Sequence, residues 1–85
     1  MSDPNIHQIP RAMAAGRIRI TEHARTRMAQ RGVVFSDLRK CGETGICTFD
    51  PGRQNYRVTG VDTDGEKLEV IADFDGDAVV ITVMG

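Results

Sequence analysis

The sequence predicts a single α+β domain over residues 1–85, with short N-terminal helices packed on one face of a mainly antiparallel, four-stranded meander sheet. Three observations carry this. Apolar residues recur at helical spacing in the first half and alternate with a period of two from Ile46 onward. Turn residues divide the second half at short intervals, in DPGRQ, DTDGE and DGD. The 85 residues contain no linker, repeat or low-complexity segment, and a chain of that length buries only roughly 60 to 65 per cent of its unfolded surface, enough for one sheet and a few helices.

Each element has its own signal. Ile6, Ile9 and Met13 share a helical face, with Asp3 as N-cap, Pro4 at the first position and Gly16 as the stop. Pro10 falls inside that pattern, so the helix either kinks there or begins near Ile9. RIRI (17–20) alternates as a short strand. Thr21 caps a helix that Gly32 ends, and Ser36 caps a further short helix, SDLRKCG. The segments ICTF, YRVTGV, KLEVIADF and AVVITVM then read as four strands. Asp75-Gly76 marks a tight hairpin between the last two, and successive hairpins make an antiparallel meander.

Alternation also divides the faces. Leu68, Val70, Ala72 and Phe74 project together, with Val79, Ile81 and Val83 expected to join them in the core. Lys67, Glu69, Ile71 and Asp73 fall on the other face beside Val80, Thr82 and Met84. Apolar residues on that mixed face imply a cover, either the N-terminal helix or a partner protein.

Net charge is −1, but it is unevenly distributed. Through Lys40 there are eight basic residues and three acids, and from Cys41 onward three basic residues and nine acids. The basic half is almost all arginine, whose fork matches phosphate oxygens. Such asymmetry fits a polyanion on one face, or a dipolar surface with no partner. No apolar stretch approaches the roughly 20 residues of a membrane span, and MSDPNIHQIP lacks the pattern of a secretion signal, so a cytoplasmic protein with no membrane contact is expected. Cys41 and Cys47, spaced C-x5-C, form neither a disulfide framework nor a zinc signature and are expected as reduced thiols. The acid clusters 62–65 and 73–77 lack the glycine and glutamate positions of a calcium loop and read as turns.

The segment TEHARTRMAQRG (21–32) is the most informative. At about 100° per residue, His23, Arg27 and Arg31 form one row bordering the apolar stripe of Ala24 and Met28, while Thr26 and Gln30 face solvent. Arginines beside a core keep their stems packed and need an anion for the guanidinium. That anion is either an internal carboxylate, such as Asp73, Glu69 or Asp62, or the phosphate of a ligand.

The pattern His23-Ala24-x-x-Arg27-Met28-x-x-Arg31-Gly32-Val33, followed by YRVTGVDTDGEKLEVIADF and a closing VVITVM, resembles a family of small bacterial proteins. That family is catalogued as a domain of unknown function and placed near the RelE and BrnT toxins. Its members commonly lie beside a gene for a zinc-finger antitoxin of the MqsA type. The resemblance implies a RelE-like fold and a toxin of a toxin–antitoxin pair. It further implies metal-independent mRNA endonuclease activity by attack of the ribose 2′-hydroxyl, on or off the ribosome, and neutralisation by a bound antitoxin. No cofactor and no metal are expected.

Such chemistry needs a base, an acid and positive charge on the phosphate. His23 titrates near neutrality in its unperturbed form, whereas His7 lies outside any constellation. Arg27 and Arg31 are the candidate phosphate clamp. Tyr56 and Arg57 are candidates for a second proton-transfer or charge-stabilising group, with Arg53 and Lys67 as alternatives. The plainer readings are that the arginines lock helix to sheet through internal acids and that Tyr56 is a core residue with its hydroxyl at the rim. The second functional reading is a non-catalytic module of the same fold, binding RNA or a protein. With no aromatic stacking platform, affinity for free single-stranded RNA is expected to be modest.

Overall fold

The computed structural model describes residues 3–84; of the single domain expected over 1–85, Met1, Ser2 and Gly85 lie outside the described residues. The chain runs α1 (Asn5–Ala14), β1 (Ile18–Ile20), α2 (Glu22–Arg31), α3 (Phe35–Thr44), β2 (Ile46–Asp50), β3 (Asn55–Val61), β4 (Lys67–Asp75) and β5 (Asp77–Met84). It is an α+β fold with three helices on a five-stranded mixed sheet of order β1-β5-β4-β3-β2. The expected four-stranded antiparallel sheet is corrected here. RIRI supplies a fifth strand, because Ile18–Ile20 pairs in parallel with Ala78–Val80 on the open edge of β5. Among the described residues no helix is long and apolar enough to cross a membrane.

One core serves the whole molecule. Ile9, Ala12 and Met13 of α1, Ala24 and Met28 of α2, and Leu38 and Cys41 of α3 form a single cluster with Val58, Val70, Ala72, Val80 and Val83 of the sheet. Full burial of each large apolar side chain there stabilises by about 1.5–3 kcal/mol. Because α1 joins this cluster, it covers the core face and not the mixed outer face for which a cover was expected.

α1 begins at Asn5, with the Asp3 carboxylate accepting the Asn5 N–H at 3.0 Å. Pro10 therefore sits in the helix interior, where its missing N–H leaves the Ile6 carbonyl without its i+4 donor. The helix is held by its apolar face and by close approach to α3. A Cβ on Gly42 would stand 2.5 Å from Met13 Cβ and 2.7 Å from the Ala14 backbone nitrogen, so only glycine allows this crossing.

α3 is capped two residues earlier than the expected Ser36. Val34 is the N-cap residue, and Asp37 reaches back to accept the Val34 N–H at 2.9 Å. This is the carboxylate half of a capping box, so the capping group lies inside the helix and not ahead of it.

The phase of β5 also differs from simple alternation. Ile71 faces Thr82 while Ala72 faces Val80, which leaves Ile81 as the extra residue of a β-bulge. Val83 is in the core as expected, whereas Ala78 and Val80 take the places expected of Val79 and Ile81. Ile71 is on the outer face, 1% exposed and outside the main cluster, flanked in register by Arg57 and Thr82. The first acid cluster is a turn, in which the Asp62 carboxylate accepts the Asp64 and Glu66 N–H groups, both at 2.9 Å; the second is a hairpin, with Asp73–Asp75 ending β4, Asp77 opening β5 and Gly76 at the corner at φ 72°.

Candidate functional site

The order of α2 follows from its ends. The Thr21 hydroxyl accepts the Ala24 N–H at 3.1 Å and donates to the Ile81 carbonyl at 3.1 Å, which fixes the helix start to the bulge of β5. Gly32 closes the helix at φ 69°, a left-handed position that favours glycine. Glu22 in the first turn and Arg31 in the last both complement the helix dipole. Ala24 and Met28 enter the core, so the rest of the helix surface is set by rotation from those two anchors.

That rotation places His23, Arg27 and Arg31 in one line of successive i, i+4 neighbours. His23 and Arg31 are exposed and Arg27 is half-buried. Among the described residues, the side chains of His23 and Arg27 have no hydrogen bond or ion pair. The internal acids considered as their partners are otherwise placed. Asp62 caps its turn, Glu69 lies 3.4 Å from Lys67, and Asp73 is on the outer sheet face. The neighbouring Arg19 is satisfied, at 3.0 Å from Asp75 and 3.6 Å from Asp77. His23, Arg27 and Arg31 line neither of two hollows in the molecule. One hollow of about 270 Å³ lies between α1 and β2, and one of about 280 Å³ is lined by Ser36, Arg39, Lys40, Glu43 and Thr63.

Tyr56 and Arg57 do not meet that row. α2 packs on β5, whereas both residues sit on β3, two strands away, and as strand neighbours they point to opposite faces. Tyr56 is 7% exposed on the core side, edge-on to Phe49 with ring centroids 5.1 Å apart. Its hydroxyl donates to the Asp3 carboxylate and accepts from Asn5 Nδ2 at 3.4 Å. The bond to Asp3, and then burial, hold the phenol above its ordinary pKa, opposed by the weaker Asn5 contact. Arg57 lies on the outer face between Thr48 and Ile71, its Nε buried with no hydrogen-bond partner among the described residues. Of the alternatives, Arg53 is exposed in the β2–β3 turn and Lys67 is exposed beside Glu69.

A model of a domain of unknown function, DUF4258, matches residues 20–85. The chain belongs to the DUF4258 family. No curated protein and no solved structure matches it.

The DUF4258 match opens at Ile20, the last residue of β1, and so holds the whole α2 row, α3, strands β2 to β5 and the Tyr56–Arg57 pair. α1 precedes it, yet gives Ile9, Ala12 and Met13 to the same core. Sequence reasoning passed over the hollow on α1 and β2. Ile6, His7, Pro10 and Arg11 meet Gly45, Ile46 and Cys47 across some 35 positions, and no local pattern joins those segments. The one local signal was Ile46, an apolar residue opening an edge strand.

Proposed function

We propose that this DUF4258 protein acts on RNA through α2, as the toxin of a toxin–antitoxin pair that cleaves mRNA and is held inactive by a bound antitoxin. One observation carries the reading: Arg27 and His23 stand side by side on a helix face with no counter-ion among the described residues. A half-buried guanidinium left unpaired by its own chain is a phosphate site in waiting. In this reading Arg27, with Arg31 beside it, holds the scissile phosphate. His23 takes the 2′-hydroxyl proton as that oxygen bonds to phosphorus, and the bond to the 5′-oxygen breaks with a proton from water. The products are a 2′,3′-cyclic phosphate and a free 5′-hydroxyl, and no metal enters the step. Tyr56 serves instead as the latch that holds the Asp3–Asn5 segment on the sheet.

The test is growth. Induced wild type should arrest cells, and His23→Ala and Arg27→Ala, purified and shown to be folded, should not. A folded wild type that leaves growth unaffected removes the toxin reading. A second reading, a non-catalytic RNA-binding module of the same fold, is favoured by the distance between the α2 row and Tyr56–Arg57. It requires that wild type bind RNA without shortening it.

A further inference from the structure

The two edges of the sheet are built differently. β1 is three residues long and carries Arg19, pinned to Asp75, with Arg17 donating to the Gly76 carbonyl at 3.2 Å, a short and charged edge of the kind that resists pairing. β2 has five residues, ICTFD, is the terminal strand on the other side, and has neither Lys, Arg nor Pro within it. Two large apolar side chains stand out from it, Ile46 at 73% exposure and Phe49 at 45%. An edge strand leaves one row of N–H and C=O groups without ladder partners, and here Asp50, at the far end, is the one charged side chain in the strand.

Beside the start of this edge lies the hollow of about 270 Å³, with a partly apolar floor from Ile6, Pro10 and Cys47. Its rim carries His7 and Arg11, both exposed, and neither side chain has a partner among the described residues. Asp3, which precedes α1, accepts from the Asn5 N–H and the Tyr56 hydroxyl, and Asp50 at the far end of β2 accepts the Gly52 and Arg53 N–H groups; among the described residues neither forms an ion pair with Arg11 or His7. Arg11 thus gives the rim a positive charge that no ion pair holds among the described residues.

We propose that β2 is a docking edge for an extended, acidic polypeptide segment of a partner protein, which adds as a sixth strand. Main-chain bonds to Ile46–Asp50 supply affinity, an apolar side chain enters the hollow, and a carboxylate two residues along, on the same face of the added strand, meets Arg11 and His7. This does not rest on the RNA reading, since α2 packs on β5, three strands away from β2 in the sheet.

The probes are two end-capped octapeptides of the pattern Val-Thr-X-Thr-Val-Thr-X-Thr, X being glutamate in one and lysine in the other so that valine and charge share a face, titrated into the full chain and followed by amide chemical shifts. The valine–glutamate peptide should bind and move the signals of Ile46–Asp50 and Arg11, and its lysine counterpart should bind at least about tenfold more weakly. Arg11→Glu should reverse that preference, and Ile46→Lys should abolish binding of the acidic peptide. Both residues are exposed, so each variant should keep the wild-type melting temperature. Equal affinity for both peptides, no binding of either, or shifts confined to other strands overturns the proposal. So does wild-type self-association that Ile46→Lys abolishes, which would give the edge to a second copy of the chain.

Discussion

The carboxylate of Asp37 binds Thr63 across 26 residues, accepting its N–H at 3.0 Å and its hydroxyl at 2.7 Å, while its other oxygen caps α3 on the Val34 N–H. One side chain, 6% exposed, thus ties a helix start to the β3–β4 turn. Burial pushes its pKa up, but the bonds from Val34 and Thr63 together outweigh that and hold it below the ordinary carboxylate value. The folded form therefore favours the charged state. Its contribution is present above the unfolded value of about 3.9 and is lost as pH falls through the lower folded value. Asp37→Ala should cost about 2–3 kcal/mol at neutral pH, because it leaves two backbone donors unmet, and should flatten the acid limb of the stability curve. Urea denaturation across pH 2–7 checks both. A variant whose stability parallels wild type below pH 5 would show that Asp37 is not the group responsible.

Gly42→Ala should loosen α1. The new Cβ would press on Met13, the Ala14 nitrogen and the Pro10 carbonyl, at 2.5, 2.7 and 2.8 Å, and two of those are backbone atoms that cannot rotate away. The expected loss is about 1–3 kcal/mol in chemical denaturation. It should come with faster hydrogen exchange in α1 and little change in α2, which packs on β5 instead.

The cysteines should be inert in the native protein. Burial pushes the thiols of both Cys41 and Cys47 up to about 11, with Asp3 adding to the effect at Cys47. Cys41 is further occupied, its Sγ 3.5 Å from the Leu68 carbonyl. A thiol-disulfide reagent at pH 8 should label native protein slowly and two thiols per chain at once in urea. Fast native labelling would contradict the packing.

Phosphate contact by α2 has a salt signature. For single-stranded RNA each neutralised phosphate adds about 0.7 to the slope of log affinity against log salt. Arg27→Ala should lower the slope by about that amount while weakening binding of all sequences alike, and Arg57→Ala on the far side of β3 should leave the slope unchanged.

The helix carrying the row was legible because its signals are local: a Thr21 cap, a Gly32 stop, and Ala24 and Met28 one turn apart. The hairpins were legible for the same reason, since Asp75-Gly76 needs only its neighbours. What escaped depends on distance. The Ile81 bulge shifts the phase of β5 by one residue, and nothing in AVVITVM announces it. Pro10 argued for a later or bent start to α1, yet tertiary packing of Ile9, Ala12 and Met13 carries the helix through it. RIRI was legible as a strand, but its parallel place beside β5 is decided by long-range pairing. At the site, helical spacing was enough to align His23, Arg27 and Arg31. Tyr56 and Arg57 are adjacent in sequence and therefore on opposite faces of a strand, where adjacency separates what it seemed to join.

The central claim is that the α2 row handles RNA phosphate with His23 as the proton-transfer group, and RNA cleavage in EDTA tests it most directly. Purified wild type should cut mRNA there, leaving 2′,3′-cyclic phosphate ends, and folded His23→Ala and Arg27→Ala should each be slower by about a hundredfold. Cleavage by His23→Ala at the wild-type rate, or intact RNA after incubation with antitoxin-free wild type, would contradict the account.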